Sequence, residues 1–200
     1  MVQTAEKKEN RRVRYTRLAL RESLLSLLQS NPINKITVSR ICEQADVNRS
    51  TFYLYYSDGY DLLEKIEEEL YQELADAIER FGVRLPSVDV LRRVYEIIYK
   101  NRDLCRVLFG EYGDKEFLRR VGAVAREKSL QEWKRQMTGA DEEMLEYLYA
   151  YATYTNIGVL ERWIARDFHE TPEQLAQLVS RLLTGGVTSY LSRKTETKPA

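Results

Sequence analysis

Apolar residues recur three and four positions apart almost from end to end of this chain, and the alternation of a half-buried strand is scarce. A chain with that period can bury its apolar surface only by packing helices on helices. Four prolines and nine glycines in 200 residues leave few interruptions. They divide the chain into about nine helices. Leu18, Leu24, Leu25 and Leu28 mark a first helix over roughly 11–30, ended by "SNPINK". Thr37 is placed to cap a short helix ending near Ala45, and Asn48 a second one running through about Tyr55. Ser57 or Asp58 opens a longer helix to about Phe81, and Ser87 a further one to Lys100. A short helix between "NRDL" and "FGEYGDKEF" precedes one spanning about Lys115 to Met137. Asp141 caps a helix reaching Asp167. Thr171, Pro172 and Gln174 then form a capping-box start for a last helix to about Ser192. The expected fold is all-α, with a three-helix helix-turn-helix head (residues 1–57) and a helical bundle body (residues 58–200).

Composition removes several classes of function. Hydrophobic residues at 44% and charged residues at 31% predict a real core. No apolar run approaches the ~18 residues of a membrane span. The opening "MVQTAEKKENRRVRY" lacks the apolar stretch of a secretory signal. Cys42 and Cys105 stand apart, and His169 is the only histidine, which is too few soft ligands for a zinc site. The expectation is a reduced, cytoplasmic chain with no membrane, metal or cofactor. Catalysis is not expected either. Glu67, Glu68 and Glu69 are consecutive on one helix and so point apart, no glycine-rich phosphate loop follows a strand, and His169 sits in the loop "DFHETP".

A formal net charge of zero hides an asymmetry. Residues 1–57 hold ten Lys/Arg against five Asp/Glu, while residues 58–200 hold 21 against 26. A basic head on an acidic body suits a polyanion partner, although such an excess also occurs as ordinary surface charge.

The stretch "ITVSRICEQADVNRSTFYLYY", residues 36–56, gives the charge a use. Two short helices joined by about three residues match a helix-turn-helix. Ile36, Val38, Ile41, Ala45, Val47, Phe52 and Tyr56 are spaced to pack the pair together and onto the first helix. Arg49, Ser50, Thr51, Tyr53 and Leu54 are left outward near the second helix's N-terminus, the end that enters a major groove. Arginine can bond guanine O6 and N7, while hydroxyls and helix-terminal amides bond phosphate oxygens. The candidate DNA-binding residues are Thr37, Asn48, Arg49, Ser50, Thr51, Tyr53 and Tyr55. The competing reading is a helical hairpin whose tyrosines merely roof a core.

Extended to "SDGYDLL", this stretch closely resembles the DNA-binding signature of the tetracycline-repressor-like (TetR) regulators. Thr37, Val38, Ile41, Ala45, Val47, Thr51, Phe52, Tyr53, Leu62 and Leu63 carry the resemblance over about 50 residues. It implies a homodimer that binds double-stranded DNA, represses from a palindromic operator and is released by a small-molecule effector. Three positions depart from the pattern. Asp46 stands where the turn usually has glycine, Tyr55 replaces a common histidine, and Gly59 replaces a frequent phosphate-contacting lysine.

In the body, Leu175, Leu178, Val179, Leu182, Leu183, Gly186, Val187 and Tyr190 form a broad stripe on the last helix. With Gly158 they make the candidate dimer interface, since the family pairs its last two helices with a two-fold mate. The competing reading is a purely intramolecular core. Tyr147, Tyr151 and Tyr154 share one helix face. Together with Tyr95, Tyr99, Trp133 and Met137 they are candidates for an effector pocket, or else core and interface tyrosines bonded to backbone. "NRDLCRVLFGEYGDKEFLRRV" and "GVLERWIARDFHETPEQLA" also resemble a short-bodied branch that includes activators of dihydroxyacetone-kinase genes. That likeness implies an alternative, a TetR-like coactivator controlled by a protein partner.

Overall fold

The computed structural model describes residues 2–81, 88–111, 113, 115–136, 139 and 141–196, without the side chains of 2–10, 81, 115, 136 and 186–196. The chain is all-α. Among the described residues there are nine α-helices, one 3₁₀ turn at Ile33–Lys35 and no strand. The helices are α1 (Val2–Leu28), α2 (Val38–Ala45), α3 (Arg49–Phe52), α4 (Gly59–Phe81), α5 (Val88–Lys100), α6 (Arg102–Leu108), α7 (Lys115–Gln136), α8 (Glu142–Ala165) and α9 (Pro172–Glu196). Two ends differ from expectation. α3 stops at Phe52 because its last turn tightens, Tyr55 N–H bonding the Phe52 carbonyl at 3.0 Å. α1 starts far earlier than residue 11. Ser87 and Met137 lie outside the described residues.

The chain divides into two compact units, Met1–Leu70 with Asp103–Asp114, and Tyr71–Arg102 with Lys115–Ala200. The division falls within α4 instead of at residue 57. The reason is that Leu62, Ile66 and Leu70 on the first half of α4 are themselves buried core residues of the first unit.

In the first unit, Leu20, Leu24, Leu27 and Leu28 of α1 are buried, as are Ile41 of α2 and Phe52 of α3. Full burial of such a side chain contributes about 1.5–3 kcal/mol. Ser23, also buried, donates its hydroxyl to the Ile41 carbonyl at 2.9 Å, which ties α1 to α2. Leu18 departs from the expected core stripe and is exposed. After α6 the chain turns through Gly113, where a Cβ would lie 1.9 Å from the Leu108 carbonyl oxygen, so only glycine fits.

In the second unit, α5 runs along α9 and α7 along α8. Tyr95, Tyr99, Trp163 and Phe168 interlock, with Tyr99 stacked on Trp163 at 6.2 Å. The α8–α9 turn puts Asp167 and Phe168 at positive φ, and Phe168 N–H bonds back to the Trp163 carbonyl. Trp163 donates its indole N–H to the Glu170 carbonyl at 2.8 Å, so ring and turn hold each other. The capping box forms as expected, Thr171 and Gln174 exchanging bonds of 2.9 and 3.2 Å.

Candidate nucleic-acid interface

The interface begins with two caps. Thr37 Oγ1 accepts from Arg40 N–H at 3.3 Å and starts α2. Asp46 ends α2 in the left-handed region (φ 52°, ψ 44°), so this aspartate adopts the conformation usually left to glycine. Val47 N–H then closes the turn onto the Cys42 carbonyl at 3.0 Å. Asn48 Oδ1 accepts both the backbone N–H and the hydroxyl of Ser50 at 2.9 Å, starting α3. Two caps eleven residues apart fix where each short helix begins, and with it which side chains face outward.

The outward set is compact. Phe52 and Tyr56 are buried and their rings tilt against each other at 5.6 Å. Arg49 and Ser50 are exposed, Tyr53 is 51% exposed and Leu54 74%. Arg49 Nη2 donates to Tyr53 Oη at 3.4 Å, which raises the guanidinium pKa further and joins the two tips on one face. Thr51 and Tyr55 are half-buried. Thr37 and Asn48 are exposed, and their side-chain oxygens serve the caps. Leu54 is the most exposed apolar residue of this surface, although it was not among the candidates chosen by chemistry.

Sequence reasoning missed the residues that brace α3 from behind. Lys65 of α4 donates to the Tyr55 carbonyl at 3.1 Å and to Asp61 Oδ2 at 3.1 Å, and sits over the Tyr56 ring. Asp61 also accepts the Ser57 N–H at 2.8 Å. That backbone bond, with Lys65 second, holds the Asp61 carboxyl below its ordinary range. Arg17 of α1 donates Nε–H to Tyr56 Oη at 3.3 Å, a bond that raises its own pKa. Glu69 pairs with Arg21 at 2.7 Å and Arg17 at 3.7 Å. The Asp61–Lys65 spacing of four was the visible signal for this bracing. The Arg17–Tyr56 bond spans 39 positions and left no local trace.

The candidate pocket residues are not brought to one place. Tyr95 is buried and donates to Asn156 Oδ1 at 2.6 Å, and Tyr99 lies in the same aromatic cluster. Trp133 belongs to a separate cluster with Leu145 and Leu148 between α7 and α8. Tyr147, Tyr151 and Tyr154 are on the surface, at 65%, 43% and 75% exposure. Met137 lies outside the described residues.

The broad stripe of α9 splits in the same way. Leu175, Val179 and Leu183 are buried in the chain's own core, so they are not open to a partner. Leu178 and Leu182 stay exposed. Gly158 and Gly185 have nothing within 4 Å of a Cβ position, so no close approach inside the chain requires them. The side chains of Gly186, Val187 and Tyr190 lie outside the described residues. Tyr151 donates its hydroxyl to the Leu182 carbonyl at 3.4 Å, which joins the exposed faces of α8 and α9.

Among the described residues no group of His, Cys, Asp and Glu is arranged to hold a metal, and no helix is long and apolar enough to cross a membrane.

A capped helix-turn-helix on an all-α chain defines a structural class, and comparison with known proteins agrees with it. Residues 88–185 match a TetR family model described as the C-terminal region of a transcriptional regulator. An uncharacterised HTH-type transcriptional regulator, YxbF of Bacillus subtilis (strain 168), is 22% identical over 171 residues. The match takes in 82% of this chain and 44% of YxbF, so the chain spans less than half of that relative. A TetR regulator from Streptococcus agalactiae 2603V superposes with a TM-score of 0.58 at 24% identity, over 89% of this chain and 98% of that one. The dihydroxyacetone kinase operon activator DhaS gives 0.61 at 20%, over 86% and 96%. FadR from Bacillus subtilis, solved with stearoyl-CoA, gives 0.63 at 18%, over 84% and 98%. Residues 88–185 thus match the C-terminal region of TetR regulators, and the chain shares the fold of solved TetR-like proteins.

Proposed function

We propose that the chain is a dimeric repressor that occupies a palindromic operator through residues 37–56 and is released by an effector bound in residues 58–200. The observation that carries this reading is the outward set Arg49, Ser50, Tyr53 and Leu54 on α3 and the turn after it, with Phe52 and Tyr56 buried behind them. A bidentate arginine suits guanine, a leucine suits the thymine methyl, and the Ser50 and Tyr53 hydroxyls suit phosphate. The dimer is supported by Tyr147, Tyr151, Tyr154, Ile157, Leu178 and Leu182, large residues left bare on α8 and α9. A palindromic operator asks a dimer for two α3 helices about 34–36 Å apart, one DNA turn. An effector that prefers one spacing of the two heads shifts the population away from the DNA-competent dimer.

A second reading keeps the DNA contact and changes the control. DhaS is by name an operon activator, and its fold is shared here, which supports activation as the alternative to repression, with a protein partner in place of a small ligand as the control this reading would add.

The test is selection of genome fragments on the purified protein, followed by titration at two salt concentrations. Enrichment of one palindromic site is the expected result. Binding that is weak and indifferent to sequence would reject the operator-reading assignment.

A further inference from the structure

Most of the ten cations of the head lie away from the recognition residues. Residues 37–56 hold Arg40 and Arg49 against Glu43 and Asp46, and so carry no net charge. The excess lies on α1, where Lys7, Lys8, Arg11, Arg12, Arg14, Arg17 and Arg21 face only Glu6, Glu9 and Glu22. Affinity for DNA is dominated by neutralised phosphates, and a neutral helix-turn-helix supplies little of that.

α1 is also built in two parts. From Leu20 onward it is anchored by buried leucines and by the Ser23–Ile41 bond. From Arg11 to Ala19 no side chain is buried. A helical stretch without tertiary burial has little to hold it in water, and a polyanion laid along it would. Arg17 and Arg21 are committed, to Tyr56 and to Glu69. Arg11, Arg12 and Arg14 are exposed, and among the described residues no carboxylate pairs with them. Arg11 rests over the Tyr15 ring at 5.6 Å, which leaves its charge intact.

Position follows from the Arg17–Tyr56 bond, which fixes α1 beside the end of the recognition segment within the same compact unit. Arg14 and Arg11 lie one and two turns N-terminal of Arg17, about 4.5 and 9 Å along the axis. A helix seated in a major groove about 12 Å wide is bordered by phosphate rows at that range.

We infer that Arg11, Arg12 and Arg14 form a second DNA contact, a phosphate clamp on the duplex backbone flanking the bases read by α3. This rests on the DNA-binding reading above. The clamp supplies affinity without sequence preference, while the neutral helix-turn-helix supplies the preference.

The experiment uses the full chain and two duplexes, one recovered by the genome-fragment selection and one of random sequence. Binding is followed by fluorescence anisotropy from roughly 50 to 200 mM salt. Arg11→Ala/Arg12→Ala/Arg14→Ala is expected to lower the slope of log affinity against log salt by about 5, at about 0.9 per lost phosphate contact and three contacts per head of the dimer. It should weaken both duplexes alike, while Arg11→Lys/Arg12→Lys/Arg14→Lys keeps the wild-type slope. Alanine favours helix, so the triple variant retains α1. An unchanged slope in the alanine variant overturns the clamp. So does a loss confined to the selected duplex, or a lysine variant as weak as the alanine one. A wild-type chain with no salt-dependent affinity for either duplex instead sinks the DNA-binding reading itself.

Discussion

Tyrosines are used in opposite ways in the segment after α3 and on α8. In the segment after α3, one ring is buried (Tyr56), one is half-buried (Tyr55) and one is half-exposed (Tyr53), and each has a named bond or ring partner. On α8, Tyr147, Tyr151 and Tyr154 share one face and all three are exposed. The same residue type thus makes a sparse, braced surface in the first unit and a broad bare one in the second. A braced surface with polar tips suits reading a polar groove. A broad surface with rings and leucines suits burial against protein.

The largest expected effect tests the second half of that contrast. Leu182→Glu places a charge on the bare face of α9 and is expected to yield folded monomers, halving the mass in sedimentation. Val179→Glu, three residues away but fully buried, is expected to unfold the second unit instead. A dimer that survives Leu182→Glu would move the interface off this face. Arg49→Ala tests the first half. It is expected to cost about 1–3 kcal/mol of specific affinity, with relaxed preference at one base position. Unchanged preference in the same titration would reject base reading by Arg49. Asn48→Ala comes next, at about 1 kcal/mol of stability, because α3 has only four residues and its cap holds both Ser50 groups. Thermal unfolding checks it, and an unshifted midpoint would show that tertiary packing alone sets α3.

What could be read from sequence differs between the two units for a physical reason. Helix starts are local events, so Thr37, Asn48, Asp141 and the Thr171–Gln174 box were all visible as residue types at fixed offsets. The core of the pair was visible too, since Phe52 and Tyr56 lie four apart. Which side of α9 is inside was not. Leu175, Leu178, Val179, Leu182 and Leu183 are apolar around more than half the helix, and periodicity cannot choose between two apolar sides. The choice is made by tertiary packing, in which α5 and α8 lie against α9 while Val179 is buried and Leu178 stays out. Likewise Tyr147, Tyr151 and Tyr154 were rightly placed on one face, but nothing local says whether that face looks inward. Long-range bonds such as Arg17–Tyr56 and Tyr95–Asn156 were invisible for the same reason.

The smallest effect concerns the bracing of α3, and its sign can be worked out. The Asp61 carboxyl accepts the Ser57 N–H first and Lys65 second, and both favour the ionised form, so its folded pKa lies below the ordinary 3.8. Above the ordinary value Asp61 is ionised in folded and unfolded chains alike, and its stabilising contribution is complete. As pH falls through the lowered folded value the carboxyl takes a proton, Lys65 loses its ion pair, and the contribution disappears. Lys65 also holds the Tyr55 carbonyl, so the joint between α3 and α4 is where loosening should start. The Ser57 amide, followed by NMR across an acid titration, is expected to shift only below the ordinary carboxyl value. In Asp61→Asn that step should vanish, because the amide still accepts from Ser57 but cannot ionise. A Ser57 shift centred at or above 3.8 would mean that Asp61 is not held in this network, and that α3 is braced by Arg17 and Tyr56 without it.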